Sequence, residues 1–173
     1  AALDHLATAL VHAERAPIVA SWLAGIQASI HADSGDHLSA TDALHRAQPM
    51  ASQSVTQLFP LADYGPAYLA AAVGHAHLQA GDHTSARSAF TAALDQFPRT
   101  ARRVRVLTLI DLAMAELRAG NLSEACRHAI TAADLLHRTP YALGATRLRA
   151  FRVAATHPIG SRALRALDEH FTA

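Results

Sequence analysis

One stretch of 34 residues, Ala67 to Thr100, constrains the fold of this chain more than any other. It reads AYLAAAVGHAHLQAGDHTSARSAFTAALDQFPRT, which predicts two helices joined by a tight Gly-Asp turn. Gly81 should end the first helix, Asp82 should cap the second, and Pro98 follows the end of the second. The residues expected to pack the two helices together are Gly74, Ala86, Phe90 and Ala93.

This order of residues resembles a tetratricopeptide repeat, although His77 stands where an aromatic residue is usual and Trp is missing from the fourth position. Since a single repeat cannot bury its apolar face alone, the resemblance implies neighbours of the same kind. Two weaker copies have their turns at Gly35-Asp36 and Gly120-Asn121. In the third copy, Asn121 and Glu124 have the spacing of a capping box.

The predicted fold is one all-α domain over residues 1–173, a right-handed tetratricopeptide-like solenoid of about nine helices. We expect repeats at about 21–48, 67–100 and 106–139, with capping helices at 2–15 and 141–171. Residues 49–66, with their prolines and polar residues, predict a connecting loop that could close over a binding groove.

Composition agrees with an all-α class, because Ala, the strongest helix former, supplies 41 residues and no strand pattern persists. The single Cys126 excludes an internal disulfide and fits a reducing cytoplasm, where we place the protein. No apolar run approaches the roughly 20 residues of a membrane span, so we predict no membrane association. Because the chain opens on Ala and directly into an apolar helix, we expect it to lack an N-terminal part.

Charge is unevenly spread along the chain. Residues 99–165 hold 12 of the 15 Arg and 4 of the 14 acidic residues, a net charge of +8, whereas the remainder carries −7. Such a molecule can associate head to tail or present its basic end to an anion. We therefore expect a homo-oligomer, most simply a dimer.

Catalytic and metal-binding motifs are missing from the sequence. It contains no Ser/His/Asp motif, phosphate-binding loop or Gly-rich dinucleotide turn, so we predict neither an enzyme nor a cofactor. Twelve His residues suggest a metal, but His75 and His77 are two positions apart and point to different helix faces. No zinc-type His or Cys spacing occurs, and we predict no metal site.

Several stretches together resemble a larger arrangement, the C-terminal tetratricopeptide-like region of helix-turn-helix (Cro/repressor-type) transcriptional regulators of high-GC bacteria. They are APIVASWLAGIQASIHADSGDHLSATDALHRA, DYGPAYLAAAVGHAHLQAGDHTSARSAF, RVRVLTLIDLAMAELRAGNLSEACRHAITAADLL and RALRALDEHF. The resemblance implies a ligand-sensing and self-association module that contacts DNA only through an N-terminal domain absent from this chain. The alternative is a stand-alone tetratricopeptide adaptor that holds a partner protein.

In such repeats the inner helix of each pair lines a concave groove that takes a peptide or a small amphipathic molecule. The matching register includes Ser29 and Asp33 and the residues that we expect to bind the ligand. Those residues are Trp22, Tyr68, His75, Gln79, Ile110, Met114, Arg118 and Arg152. We expect Tyr68, His75, Met114 and Arg118 nearest to it, with His75 and Arg118 fixing its polar or carboxylate end. Trp22, Ile110 and Met114 are equally compatible with a place in the core.

Overall fold

A computed structural model describes residues 2–13, 16–51, 65–155 and 162–172. Over these ranges the chain is all-α, with nine helices and no strand, which confirms the predicted class and helix number. The helices are α1 (Ala2–His12), α2 (Pro17–Asp33), α3 (His37–Ala51), α4 (Pro66–Gln79), α5 (His83–Gln96), α6 (Arg102–Arg118), α7 (Leu122–Arg138), α8 (Ala142–Ala154) and α9 (Arg162–Thr172).

The chain forms two compact units. The first, Ala1–Phe97, contains α1 to α5, and the second, Pro98–Ala173, contains α6 to α9. The expected single domain over the whole chain stays a prediction.

The three predicted Gly turns are confirmed. Gly35, Gly81 and Gly120 have φ values of 78°, 82° and 84°, the left-handed region that favours glycine. They separate α2 from α3, α4 from α5, and α6 from α7.

The same hydrogen bonds close all three turns. At each turn, the backbone amide of the residue after the glycine donates to the carbonyl five residues earlier. These bonds join Asp36 to His31 at 2.9 Å, Asp82 to His77 at 2.9 Å, and Asn121 to Glu116 at 2.8 Å. With the amide of each glycine bonded three residues back, this is a Schellman motif. Three helix pairs therefore reverse direction in the same way.

Two of the three second helices begin with an Asp cap. The Ser39 amide donates to Asp36 Oδ1 at 3.1 Å, and the Ser85 amide donates to Asp82 Oδ1 at 3.0 Å, which confirms the cap predicted for Asp82. These bonds satisfy amides that have no carbonyl partner within the helix.

The capping box predicted for Asn121 and Glu124 is wrong. The Asn121 side chain makes no cap bond, and its Nδ2 donates instead to Glu116 Oε2 at 2.7 Å. Glu116 is buried, and a buried carboxylate needs hydrogen-bond donors. Glu124 accepts from Arg127 Nε at 2.9 Å.

In the first unit, α2 packs on α3 and α4, α4 packs on α5, and α1 packs on α2. The second helix of each pair contributes small residues to these contacts, and all are at most 1% exposed. They are Ala40, Ala43 and Ala47 in α3, and Ala86 and Ala93 in α5. Phe90 is fully buried against Gly74, where an added Cβ would lie 2.7 Å from ring carbon Cδ1. Gly74 is therefore the position that admits the ring.

One boundary differs from the prediction. Helix α3 continues through Pro49 to Ala51, past the expected repeat end at 48 and into the expected loop 49–66. Residues 52–64, and with them the predicted loop closure over a groove, lie outside the described residues.

In the second unit, α6 packs on α7 and α8, and both α8 and α9 pack on α7. Helix α6 buries residues around most of its circumference, as its apolar sequence predicts. Arg147 on α8 binds both oxygens of Asp111 on α6 at 3.1 Å. Arg152 on α8 forks onto Asp168 on α9, with Nη2 2.8 Å from Oδ2.

The Gly74–Phe90 contact predicts opposite effects of the same substitution at two helical glycines. Gly74→Ala should destabilise the protein by about 1–2 kcal/mol, because overpacking against a buried ring exceeds the gain in helix propensity. At Gly25 an added Cβ would lie an ordinary 3.6 Å from Ala72 Cβ, so Gly25→Ala should stabilise by up to about 1 kcal/mol.

Urea unfolding of both variants measures this difference. Phe90→Leu, placed in the Gly74→Ala background, should cost less than it does in the wild type, because it relieves the clash. Equal stabilities of the two glycine variants would contradict the conclusion that Gly74 is needed to accommodate the Phe90 ring.

The Asp caps predict an acid-sensitive part of the stability. Hydrogen bonds from Ser39 hold the pKa of Asp36 below its ordinary value, and those from Ser85 do the same for Asp82. A lowered folded-state pKa contributes stability that is present above the unfolded pKa of about 3.9 and is lost as pH falls through the folded pKa.

The double variant Asp36→Asn/Asp82→Asn keeps an acceptor oxygen at each cap but removes its titration. Between about pH 6 and about pH 2, its unfolding midpoint in urea should fall less than that of the wild type. Asp42→Asn, at an exposed α3 position without a hydrogen-bond partner in the described chain, should keep the wild-type pH dependence. If the urea midpoints of the wild type and the double variant fall equally between about pH 6 and about pH 2, the caps contribute nothing to the acid sensitivity of the stability.

Candidate functional site

Four of the predicted ligand-binding residues lie in the first unit, on α2 and α4. Tyr68, His75 and Gln79 are separated by seven and four positions, so they share one face of α4. Trp22 on α2 is half-buried and packs against a small core cluster of Ala13, Ala20 and Leu23. The indole therefore contributes to the contact between α1 and α2.

Tyr68 lies where α2 and α4 come close together. A Cβ added at Gly25 would be 3.6 Å from Ala72 Cβ and 4.0 Å from Tyr68 Cε1, so the ring lies over this glycine. The small residues at this crossing let the helices approach and leave the Tyr68 ring half-buried beside them.

A polar cluster joins the far ends of the same two helices. Asp33, the last residue of α2, accepts at Oδ1 from His75 Nε2 at 2.7 Å and from Gln79 Nε2 at 3.0 Å. An ionised carboxylate only accepts, so Nε2 of His75 carries the proton in this contact. His75 is buried, whereas the Asp33 side chain is 55% exposed.

This geometry changes the role expected for His75. Its Nε2 is engaged by Asp33, which leaves the carboxylate as the exposed charge of the cluster. Asp33 Oδ2 accepts no hydrogen bond from the described residues, so it is available to a ligand. Of the polar or carboxylate end that we predicted for the ligand, a carboxylate in this position favours a polar end with N–H donors, such as peptide amides or an ammonium group.

Asp33 was part of the inner-face register but not of the predicted site. Nothing in the sequence near Asp33 points to His75, which lies 42 positions away. The usable signal was the pair His75 and Gln79, four positions apart on one helix face, opposite a helix end that carries a carboxylate.

A groove of about 660 Å³ opens on the opposite side of α4, between α3 and α4. Its lining is mostly apolar, with Leu44 from α3 facing Leu69 and Val73 from α4. Histidines and short polar side chains stand among the apolar residues: His37, Thr41, His45, Gln48 and His77. His77 also approaches Asp82, with Nδ1 3.5 Å from Oδ2. Sequence reasoning placed the groove on the other face and missed this one.

The other four predicted site residues lie in the second unit. Ile110 is 3% exposed and belongs to the core of α6, whereas Met114 is half-buried and Arg118 is exposed in the last turn. Arg152 is held by Asp168. The convergence of these residues with Tyr68 and His75 on one groove stays a prediction.

Cys126 lies in the core of the second unit. It is 1% exposed, and burial raises the pKa of its thiol. Three or more His, Cys, Asp or Glu side chains do not come together in a metal-binding arrangement anywhere in the described ranges.

Comparisons with protein-family models, curated proteins and solved structures find no match to this chain. None of the described helices combines the length and the hydrophobicity that a membrane span requires.

Removal of the Asp33 carboxylate should weaken the first unit measurably. Asp33→Ala leaves the buried His75 without its hydrogen-bond partner and should lower the free energy of unfolding by about 1–2 kcal/mol. Asp42→Ala, also an exposed helical carboxylate, should change it by less than about 0.5 kcal/mol.

Urea unfolding at neutral pH measures the free energies of unfolding of Asp33→Ala and Asp42→Ala. In a His75→Phe background, where no imidazole needs a partner, the effect of Asp33→Ala should shrink. Equal effects of Asp33→Ala and Asp42→Ala would show that the cluster contributes nothing to stability.

Proposed function

We propose that this chain is a helical-repeat binding module. In our proposal it is the ligand-sensing and self-association part of a bacterial transcriptional regulator in the cytoplasm. The observation that carries the proposal is the repetition of one structural unit: three helix pairs, each reversed by a glycine at positive φ within the same Schellman motif. Each pair then buries small residues of its second helix, at most 1% exposed, against its first.

This repetition supports a right-handed tetratricopeptide-like solenoid. A repeat array needs a constant chain reversal and a constant register of small residues, because neighbouring units must present the same packing face. Small buried residues recur at the same two positions after the glycine in every pair, five and twelve residues on: Ala40 and Ala47, Ala86 and Ala93, and Ala125 and Ala132. The family resemblance of the sequence points in the same direction.

The site that we propose is the α2–α4 face of the first unit. Tyr68 supplies an aromatic surface at one end, and Asp33 supplies an exposed acceptor at the other, fixed by His75 and Gln79. An extended peptide carries both apolar side chains and backbone N–H donors, so it matches these two features better than a purely apolar molecule does. The proposed ligand is therefore a peptide.

Self-association is supported by the distribution of charge. The first unit has three Arg against eight acidic residues, and the second has 12 Arg against six, so their net charges are −5 and +6. Opposite net charges favour contact between the acidic unit of one copy and the basic unit of another. The proposed homo-oligomer would accordingly weaken in high salt.

A random peptide library displayed on phage tests the binding site. Peptides enriched on the wild-type protein should bind Tyr68→Ala/Asp33→Asn at least about tenfold more weakly, because both the aromatic surface and the charged acceptor are lost. Asp42→Asn should bind them like the wild type.

Two results would contradict the site. One is the absence of any enriched peptide, and the other is an affinity of the double variant within about 0.5 kcal/mol of the wild type, the range of neutral surface changes. A urea midpoint for each variant separates lost binding from lost folding.

The regulator role is tested by the gene sequence that precedes the codon for residue 1. A helix-turn-helix domain encoded there supports it, and DNA binding by the full protein that responds to the selected peptide would establish the sensing function. An upstream region without such a domain contradicts the regulator role and leaves a peptide-binding adaptor.

A further inference from the structure

A second pocket, of about 540 Å³, lies wholly within the second unit, between α7, α8 and α9. Its walls are apolar, with Leu136 from α7 facing Leu148 from α8. Small residues leave the space between them open: Ala133, Ala142 and Ala145. Three basic side chains stand around it: His137, Arg149 and His170.

One wall of this pocket is held firmly in place. Tyr141 packs on Gly144, where an added Cβ would lie 2.7 Å from ring carbon Cε1 and 2.8 Å from Leu136 Cδ2. Its hydroxyl donates to the Arg103 carbonyl at 2.9 Å, and the Arg103 guanidinium lies 5.8 Å from the ring centre. Burial raises the pKa of Tyr141 to about 12, so the phenol stays neutral. The ring is thereby a fixed apolar surface.

Arg149 differs from the other two arginines of α8. Arg147 is neutralised by Asp111, and Arg152 is neutralised by Asp168. Within the described chain, Arg149 has only a weak contact, 3.4 Å from Nη2 to Thr146 Oγ1, and no carboxylate within ion-pair distance. Its positive charge therefore stands at the pocket without a counter-ion from these residues.

The two histidines are arranged differently. His170 donates from Nδ1 to the Ala166 carbonyl at 2.9 Å, and its Nε2 lies 3.6 Å from Asp134 Oδ1. Asp134 thus balances His170 when that imidazole is charged. His137 is exposed at the end of α7, with no hydrogen-bond partner in the described ranges. Arg149 is consequently the dominant charge at the pocket.

We infer that this pocket binds a small amphipathic anion, with its apolar body between Leu136 and Leu148 and its anionic group on the Arg149 guanidinium. A carboxylate is the simplest such group, since its two oxygens match the donor fork of arginine. Pockets of this size that combine apolar walls with one charged group are typical of small-molecule sites. The pocket shares no residue with the proposed peptide site, because all of its lining residues lie in the second unit.

Octanoate and octan-1-ol form a matched pair of probes, since they share an apolar chain and differ in charge. Isothermal titration of the full chain should give saturable octanoate binding, with a Kd on the order of 1 mM for so small a ligand. Octan-1-ol should bind several-fold more weakly, because it cannot form the charge-assisted pair.

Three arginine variants test whether Arg149 binds the anionic group of octanoate. Arg149→Gln should weaken octanoate binding about tenfold and leave octan-1-ol unchanged, whereas Arg149→Lys should recover most of the octanoate affinity. Arg162→Gln removes an exposed arginine at the start of α9, outside the pocket lining, and should behave like the wild type.

One further variant tests whether the apolar chain of the ligand lies inside the pocket. Ala145→Leu narrows the pocket without changing charge and should weaken both probes. Absence of saturable octanoate binding, or equal octanoate affinities of Arg149→Gln and Arg162→Gln, would overturn the proposal. Loss of binding in Arg149→Gln but not in Ala145→Leu would show a surface charge contact and would equally overturn the pocket assignment.

Discussion

The rest of this structure depends on the chain reversal at three glycines in the left-handed conformation. A helix ends with carbonyls that lack intrahelical partners, and the Schellman bonds at Gly35, Gly81 and Gly120 satisfy them while turning the chain back. Because the turn has the same geometry each time, the following helix returns along the preceding one. In every pair, the small buried residues of the second helix then let it pack closely against the first helix.

Small residues make the helix contacts close, but they also leave space. Alanine buries little apolar area, and the large Phe90 side chain is buried where the opposing Gly74 admits its ring. Alanines among the larger lining residues leave grooves open, as between α3 and α4 and again around Ala133, Ala142 and Ala145. The same composition thus explains both the tight helix pairs and the two open pockets.

The all-α class, the glycine turns and the Asp82 cap were predictable because each depends on residues close together in sequence. The Asn121 cap was not, since Glu116, on the helix before the turn, competes for the Asn121 side chain. The Asp33–His75 contact spans 42 positions, and only the spacing of α2 and α4 reveals it. The sequence likewise left open whether Ile110 lines a groove or lies in the core, because its burial depends on the neighbouring helices; the structure places it in the core at 3% exposed.

The two candidate sites differ in the sign of the charge that they offer to a ligand. In the first unit the polar residues cooperate to leave one carboxylate exposed, because His75 and Gln79 both donate to the same oxygen of Asp33. In the second unit neighbouring carboxylates neutralise Arg147 and Arg152 but not Arg149. In our proposals each unit therefore selects a different chemical group, an N–H donor in one and an anion in the other. It follows that binding at either site can be measured while the polar residues of the other are left intact.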